Sequence, residues 1–290
     1  IPLRLVGSEM CIRDSTKGKP EFNGAEVTSQ KLKFGIDTIS RDFINPWGIA
    51  FLPDGRILVT ERQGAIRIVQ DGKLLADSVE GVPAVFAEGQ GGLLDIKLHP
   101  DYEQNGWIYL TYSKPGPDTT SATTLARTKI EGNRFTEFTE LFSAKPFFKS
   151  GHHFGSRIAF DGNGHLFITS GERGQRDSAQ VLTNHFGKVI RLNDDGSVPS
   201  DNPLVNTPGA LPEIWSYGHR NPQGLMYDAE TGKLWDAEHG PMGGDELNLV
   251  MPGKNYGWPV ITYGTNYDST IITDLTEKEG MEQPVRYWKP

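Results

Sequence analysis

Four short stretches carry residue types able to do polar chemistry. Gly151-His152-His153-Phe154-Gly155 sets two imidazoles between glycines. An imidazole titrating near ~6.5 suits a general base at neutral pH. In extended chain, adjacent side chains point to opposite faces, so only one of this pair is expected to face a central site, and the two are not expected to share a metal. A hydrogen-bonded structural histidine is the competing reading, and it is the one given to His99, His165 and His185. The stretch 217–224 (YGHRNPQG) concentrates a guanidinium, an imidazole and two amides. Arg220 could clamp a carboxylate or stabilise a developing oxyanion, with Asn221 donating beside it. A surface ion pair for Arg220 and a turn cap for Asn221 compete with that reading. The stretch 238–246 (EHGPMGGDE) offers three carboxylates and main-chain carbonyls on a glycine-rich loop, the oxygen ligands that calcium prefers. Its spacing is not that of an EF-hand, and a solvated acidic turn is the alternative. Gln90-Gly91-Gly92 places an amide before an apolar run, where it could orient a polar ligand or satisfy a turn.

These stretches adjoin a repeated unit. Residues 45–69 (NPWGIAFLPDGRILVTERQGAIRIV) read as strand, Pro-Asp-Gly turn, strand, glycine turn and strand, a β-meander. The scheme recurs at 92–112, 156–171 and 224–238, so copies start at Gly48, Gly92, Ser156 and Gly224, spaced 44, 64 and 68 residues apart. Hairpin-rich units at such intervals close most naturally into a β-propeller, whose loops gather ligands at the channel mouth. A β-sandwich also uses short strands but does not require a repeated hairpin signature. Helical signals are scarce, with one short turn or helix expected in 177–185. The fold class is therefore all-β.

Composition narrows the function. The chain has 290 residues, 29 Lys+Arg against 37 Asp+Glu and a net charge of -8, which lacks the basic footprint of a nucleic-acid binder and favours a small-molecule partner. No apolar run approaches the ~18 residues of a membrane span. Glycine-rich phosphate loops and a nucleophile elbow around Ser170 are absent, which disfavours nicotinamide enzymes and serine hydrolases. The single cysteine, Cys11, excludes an intramolecular disulfide framework and a Cys₄ zinc site.

Both ends are unusual. Residues 1–15 lack strand alternation, a helix face or a signal peptide's apolar core, and are set aside as a non-native or disordered leader, leaving 16–290 as a partial propeller domain. Residues 282–290 (EQPVRYWKP) read as the approach to a further strand. The expectation is an incomplete propeller of about four to five blades with its open edge near Trp288.

In order, EGQGGLLDIKLHP, GHHFGSRIAFD, YGHRNPQGL, EHGPMGGDELNL and GKNYGWPVITYG resemble the soluble quinoprotein sugar dehydrogenases, the glucose/sorbosone dehydrogenase family, and within it the aldose sugar dehydrogenase branch. The resemblance runs from about Phe34 to Pro290. It implies a six-bladed propeller that binds pyrroloquinoline quinone (PQQ) and Ca2+ and oxidises the C1 hydroxyl of aldoses to lactones, with electrons passing to an unidentified acceptor. It implies His153 as general base, Gln90 positioning substrate, and Arg220 and Asn221 on the quinone's carbonyl oxygens. Gly240 and Pro241 would offer carbonyls to the catalytic calcium, and Glu246 and Tyr256 would serve a second, structural calcium. His239, counted with the cofactor contacts, replaces a glutamine of the glucose branch, and His152 an aspartate, leaving sugar preference open. In the family, later blades supply a lysine and arginines that grip the cofactor's carboxylates; without them the fragment is expected to bind the quinone poorly or not at all. A periplasmic or secreted location follows from the resemblance alone. A calcium-dependent sugar lactonase and a non-catalytic propeller binding module are the alternatives.

Overall fold

The computed structural model describes residues 25–289. Residues 1–15, Cys11 included, lie outside the described residues. After a two-stranded hairpin (Ala25–Thr28, Lys33–Ile36), the four repeats become four antiparallel sheets of four strands each. Blade 1 comprises Pro46–Phe51, Ile57–Glu61, Ala65–Gln70 and Lys73–Ser78. Blade 2 comprises Leu93–Leu98, Ile108–Pro115, Ser121–Glu131 and Arg134–Ser143. Blade 3 comprises Ile158–Phe160, His165–Ser170, Lys188–Asn193 and Ile214–Tyr217, and blade 4 Pro222–Asp228, Lys233–Glu238, Asp245–Val250 and Arg286–Trp288. Within each blade every strand pairs with its sequence neighbour, the meander expected from the repeat. This is an incomplete β-propeller of four blades, with Trp288 on the outermost strand of the fourth. Among the described residues, helix is confined to Tyr102–Asn105 and two 3-10 turns, one of which, Arg176–Gln180, begins just before the stretch expected to hold a turn.

The apolar faces of the blades pack against one another, so the core lies between blades. Leu58, Ile66 and Ile68 of blade 1 meet Ile96, Ile108 and Leu110 of blade 2. Tyr109 and Leu125 of blade 2 meet Ile158, Ile168 and Ile190 of blade 3, and Phe167 and Val189 meet Leu234 and Val250 of blade 4. Each such side chain contributes ~1.5–3 kcal/mol by leaving water.

A polar latch repeats with the same period. Gly55, Gly106 and Gly164 hold left-handed turns, and five residues after each comes a fully buried threonine on the second strand. Thr60 Oγ1 accepts from Gly48 N–H (2.8 Å) and donates to the Leu94 carbonyl of the next blade (2.6 Å). Thr111 accepts from Asp95 (3.0 Å) and donates to the Ser156 carbonyl (2.6 Å); Thr169 accepts from Arg157 (3.0 Å) and donates to the Pro222 carbonyl (2.7 Å). The matching residue of blade 4, five after Gly232, is the exposed Ala237, which has no hydroxyl to donate. Arg157 adds a second tie near the axis. Its guanidinium lies over Trp47 of blade 1 (4.1 Å), pairs with buried Asp95 of blade 2 (2.9 Å) and donates to the Gln223 carbonyl of blade 4 (2.8 Å).

Candidate active site

In an antiparallel meander the start of the first strand and the end of the second lie at one end of the sheet. Segments 89–92, 151–157 and 218–223 lead into first strands, while 171–174 and 239–244 follow second strands. The topology alone therefore collects them on one rim.

His153 stands on a strained loop. Its φ is 51°, in the left-handed region that costs a non-glycine residue about 1 kcal/mol or more, and Gly155 and Ser156 are left-handed too. The extended-chain premise for the histidine pair therefore fails, and the His152 and His153 rings lie with centroids 6.1 Å apart. Neighbours hold the loop. Gln90 Oε1 accepts the His153 main-chain N–H (2.9 Å), and Gln90 N–H donates to the Gly151 carbonyl (2.7 Å). A Cβ on Gly89 would strike the Gly151 carbonyl, and one on Gly171 the His153 carbonyl. The side chain of His153 makes a hydrogen-bonded ion-pair contact through Nδ1 with Glu172, whose carboxylate is 1% exposed. With Nδ1–H donating to the carboxylate, Nε2 carries the lone pair able to accept a proton. Burial pushes the imidazole below its ordinary 6.5; Glu172 opposes that shift, and Arg220 and His152 add to it.

Arg220 and Asn221 are buried beside this loop. The Arg220 main-chain N–H donates to Glu238 Oε2 (2.9 Å), its Nη1 donates to the His239 carbonyl (3.0 Å), and its guanidinium lies 5.4 Å from the Trp258 ring centroid. Asn221 Oδ1 accepts from Gly155 N–H (3.1 Å), tying it to the His153 loop. Arg220 Nε and Asn221 Nδ2 are buried donors with no partner. A pocket opens here, walled by Arg220, His239, Gly240, Pro241, Glu246 and Tyr256, all singled out from sequence, together with Trp258 and Glu238. His239 Nε2 meets Gln223 Oε1 (3.0 Å), and burial lowers its pKa.

Glu238 and Glu246 of the pocket wall crowd together with the buried Asp236 behind them. Burial, with Glu238 next to it, raises Glu246 to about 8, and burial raises Asp236 well above the usual carboxylate range. Both Asp236 oxygens lack a hydrogen bond, although the buried His219 Nδ1 lies 3.2 Å from Oδ2. Among the described residues no three His, Cys, Asp or Glu side chains are arranged to hold a metal. A cation at this pocket would thus depend on main-chain carbonyls, as Gly240 and Pro241 could provide. The Tyr256 hydroxyl donates to the Leu249 carbonyl (2.5 Å) and accepts from Met251 N–H (2.8 Å), so its phenol is committed and only its carbonyl remains for a cation.

A family model described as Glucose / Sorbosone dehydrogenase matches residues 43–290, which take in the whole rim. The chain belongs to that family. It is 43% identical over 285 residues to the aldose sugar dehydrogenase YliI of Escherichia coli (strain K12), spanning 97% of this chain and 74% of that protein. The crystal structure of the soluble E. coli aldose sugar dehydrogenase in its apo-form superposes with a TM-score of 0.83 at 45% identity, covering 85% of this chain and 73% of that one. The PQQ-bound form of aldose sugar dehydrogenase from Streptomyces coelicolor gives a TM-score of 0.71 at 32% identity, covering 88% and 71%. Within this glucose/sorbosone dehydrogenase chain, sequence reasoning missed Glu172, Arg173 and Trp258. The signal for the first two was a charged pair directly after Gly171, where a repeat strand ends on the rim.

Proposed function

We propose that this chain carries the catalytic rim of a quinoprotein that oxidises the C1 hydroxyl of aldose sugars to lactones. The observation that carries this reading is the pairing of His153 with buried Glu172 beside two unpartnered buried donors, on Arg220 and Asn221. Membership of the family, and the likeness to a PQQ-bound relative, support it. His153 Nε2 accepts the hydroxyl proton, and Glu172 stabilises the imidazolium that forms. PQQ, when bound, supplies the acceptor for the hydride that leaves C1. The orphaned Arg220 and Asn221 donors fit its carbonyl oxygens, with Trp258 walling the pocket and His239 at its edge. Gly240 and Pro241 would offer carbonyls to a Ca2+ that polarises the cofactor, and Glu246 with the Tyr256 carbonyl would hold a second ion. Gln90 positions the base through its main chain and the substrate near it. Sugar preference rests with His152 and its surroundings. Electrons would pass from the cofactor to a separate acceptor, and the family resemblance favours a periplasmic or secreted setting.

Dye reduction with a panel of aldoses, after reconstitution with PQQ and Ca2+, tests this reading. It is run on the chain extended to the length of its relatives, beside His153→Ala. Aldose-dependent reduction that falls by about 10²–10⁴ in the variant is the expected result for loss of a general base. Lactone hydrolysis without dye reduction would replace it with the lactonase reading.

A further inference from the structure

Glu172 reaches the ring of His153, and the next residue reaches its backbone. Arg173 is 2% exposed, and none of its hydrogen-bond acceptors is a carboxylate. Its Nε donates to the His152 carbonyl (2.9 Å) and one Nη to the Ser150 carbonyl. The guanidinium also donates to the Ser121 carbonyl (3.1 Å) and to Ser121 Oγ (3.0 Å), at the start of the third strand of blade 2. Its face lies 3.6 Å from the centroid of Phe154. One planar fork thus joins blade 2 to Ser150 and His152, upstream of His153, and to the Phe154 ring that follows it. Burial pushes the guanidinium down to about 9, so the cation sits there at a cost that an apolar filler would avoid. Arg173 is itself left-handed, with φ 59° followed by Gly174 at 78°, which turns the fork back towards the 150–154 loop.

We propose that Arg173 is a positioning residue for the base: it holds 150–154 so that His153 keeps its left-handed backbone and its contact with Glu172. The proposal rests on the reading of His153 as base. It goes beyond that reading in adding a buried guanidinium to the contacts of Gln90, Gly89 and Gly171 that hold the loop. Lysine would keep the charge but not the fork, because an ammonium donates from a single nitrogen and cannot span acceptors spread around the edge of a guanidinium.

The test uses Arg173→Lys and the milder Ser121→Ala, which removes one hydroxyl acceptor. Two readouts are taken: the His153 imidazole N–H resonance in cofactor-free protein, assigned by its loss in His153→Ala, and kcat and KM for the aldose. In wild type the proton bonded to Glu172 is expected to be protected from exchange. In Arg173→Lys that resonance should broaden or vanish and kcat should fall by about a hundredfold with KM nearly unchanged, the cost of a base displaced by ~1 Å. Ser121→Ala should show the same changes, several-fold smaller, and it decides the matter if the lysine variant does not fold. A retained resonance with kcat within about twofold of wild type in the folded variants would overturn the proposal. The resonance needs neither PQQ nor turnover, so it judges Arg173 separately from the dehydrogenase reading.

Discussion

His153 and Glu172 are joined through Nδ1 and a carboxylate that water barely reaches, while a second oxygen of the same carboxylate is buried without a partner. The pair fixes the tautomer and places negative charge where an imidazolium would form. Because Glu172 raises the His153 pKa against the dominant effect of burial, removing its charge should lower that pKa further. In Glu172→Gln the acid limb of kcat/KM against pH should therefore move to lower pH, since the base stays deprotonated further into acid. At the same time kcat should fall by about tenfold or more, because the imidazolium loses its counter-charge. An acid limb shifting upward would show that the carboxylate does not act on this histidine.

The inter-blade threonines make a separate prediction about stability. Thr111 is fully buried and uses its hydroxyl twice, towards Asp95 N–H and the Ser156 carbonyl. Thr111→Val keeps the shape and leaves both partners unsatisfied, so unfolding should become easier by about 1–3 kcal/mol. The control is Ala237→Thr, at the matching but exposed position of blade 4, where a change within about 0.5 kcal/mol is expected of a surface substitution. Urea unfolding midpoints at constant m-value measure both.

Much of this was legible in the residues. The repeat starts Gly48, Gly92, Ser156 and Gly224 fall at or beside the first strands of the four blades, because alternating apolar residues around a left-handed glycine turn leave few other pairings. The pocket-lining set from Arg220 to Tyr256 was legible through motif resemblance, since composition cannot distinguish a ligand loop from an acidic turn. Glu172 and Arg173 were hidden for a physical reason. Glu172 meets His153 only once the meander of blade 3 returns 171–174 beside 151–157, and Arg173 meets Ser121 only when blade 3 packs on blade 2. The left-handed backbone at His153 was hidden as well, because it is imposed by Gln90, Gly89 and Gly171 and not by local preference.

Gly171 gives that imposed geometry its own test. A methyl group there would collide with the His153 carbonyl and stand 3.0 Å from Asn221 Oδ1. Neither neighbour can retreat easily: one is main chain on the strained loop, and the other accepts from Gly155. Gly171→Ala should cost about 1–3 kcal/mol of stability as an overpacked site. It should also depress kcat more than the thermal midpoint alone would explain, because the displaced atoms belong to the base's own residue. Activity measured well below the melting transition separates the two effects.

Calcium supplies the last prediction. Asp236, Glu238 and Glu246 share one buried region, where burial first and neighbouring carboxylates second raise Asp236 and Glu246. A divalent ion taken up by Glu246 and nearby carbonyls would relieve that repulsion and bind only the folded state. Added Ca2+ at a hundredfold excess over its Kd should then stabilise the chain by about 2.7 kcal/mol, and a chelator should remove the gain. Glu246→Gln separates this site from one at Gly240 and Pro241. The variant should be at least as stable as wild type without calcium, because a neutral amide replaces an acid that burial already disfavours in its charged form, yet gain less from the ion. Equal calcium stabilisation in both proteins would move the ion away from Glu246 and leave the glycine-proline carbonyls as its remaining ligands on this rim.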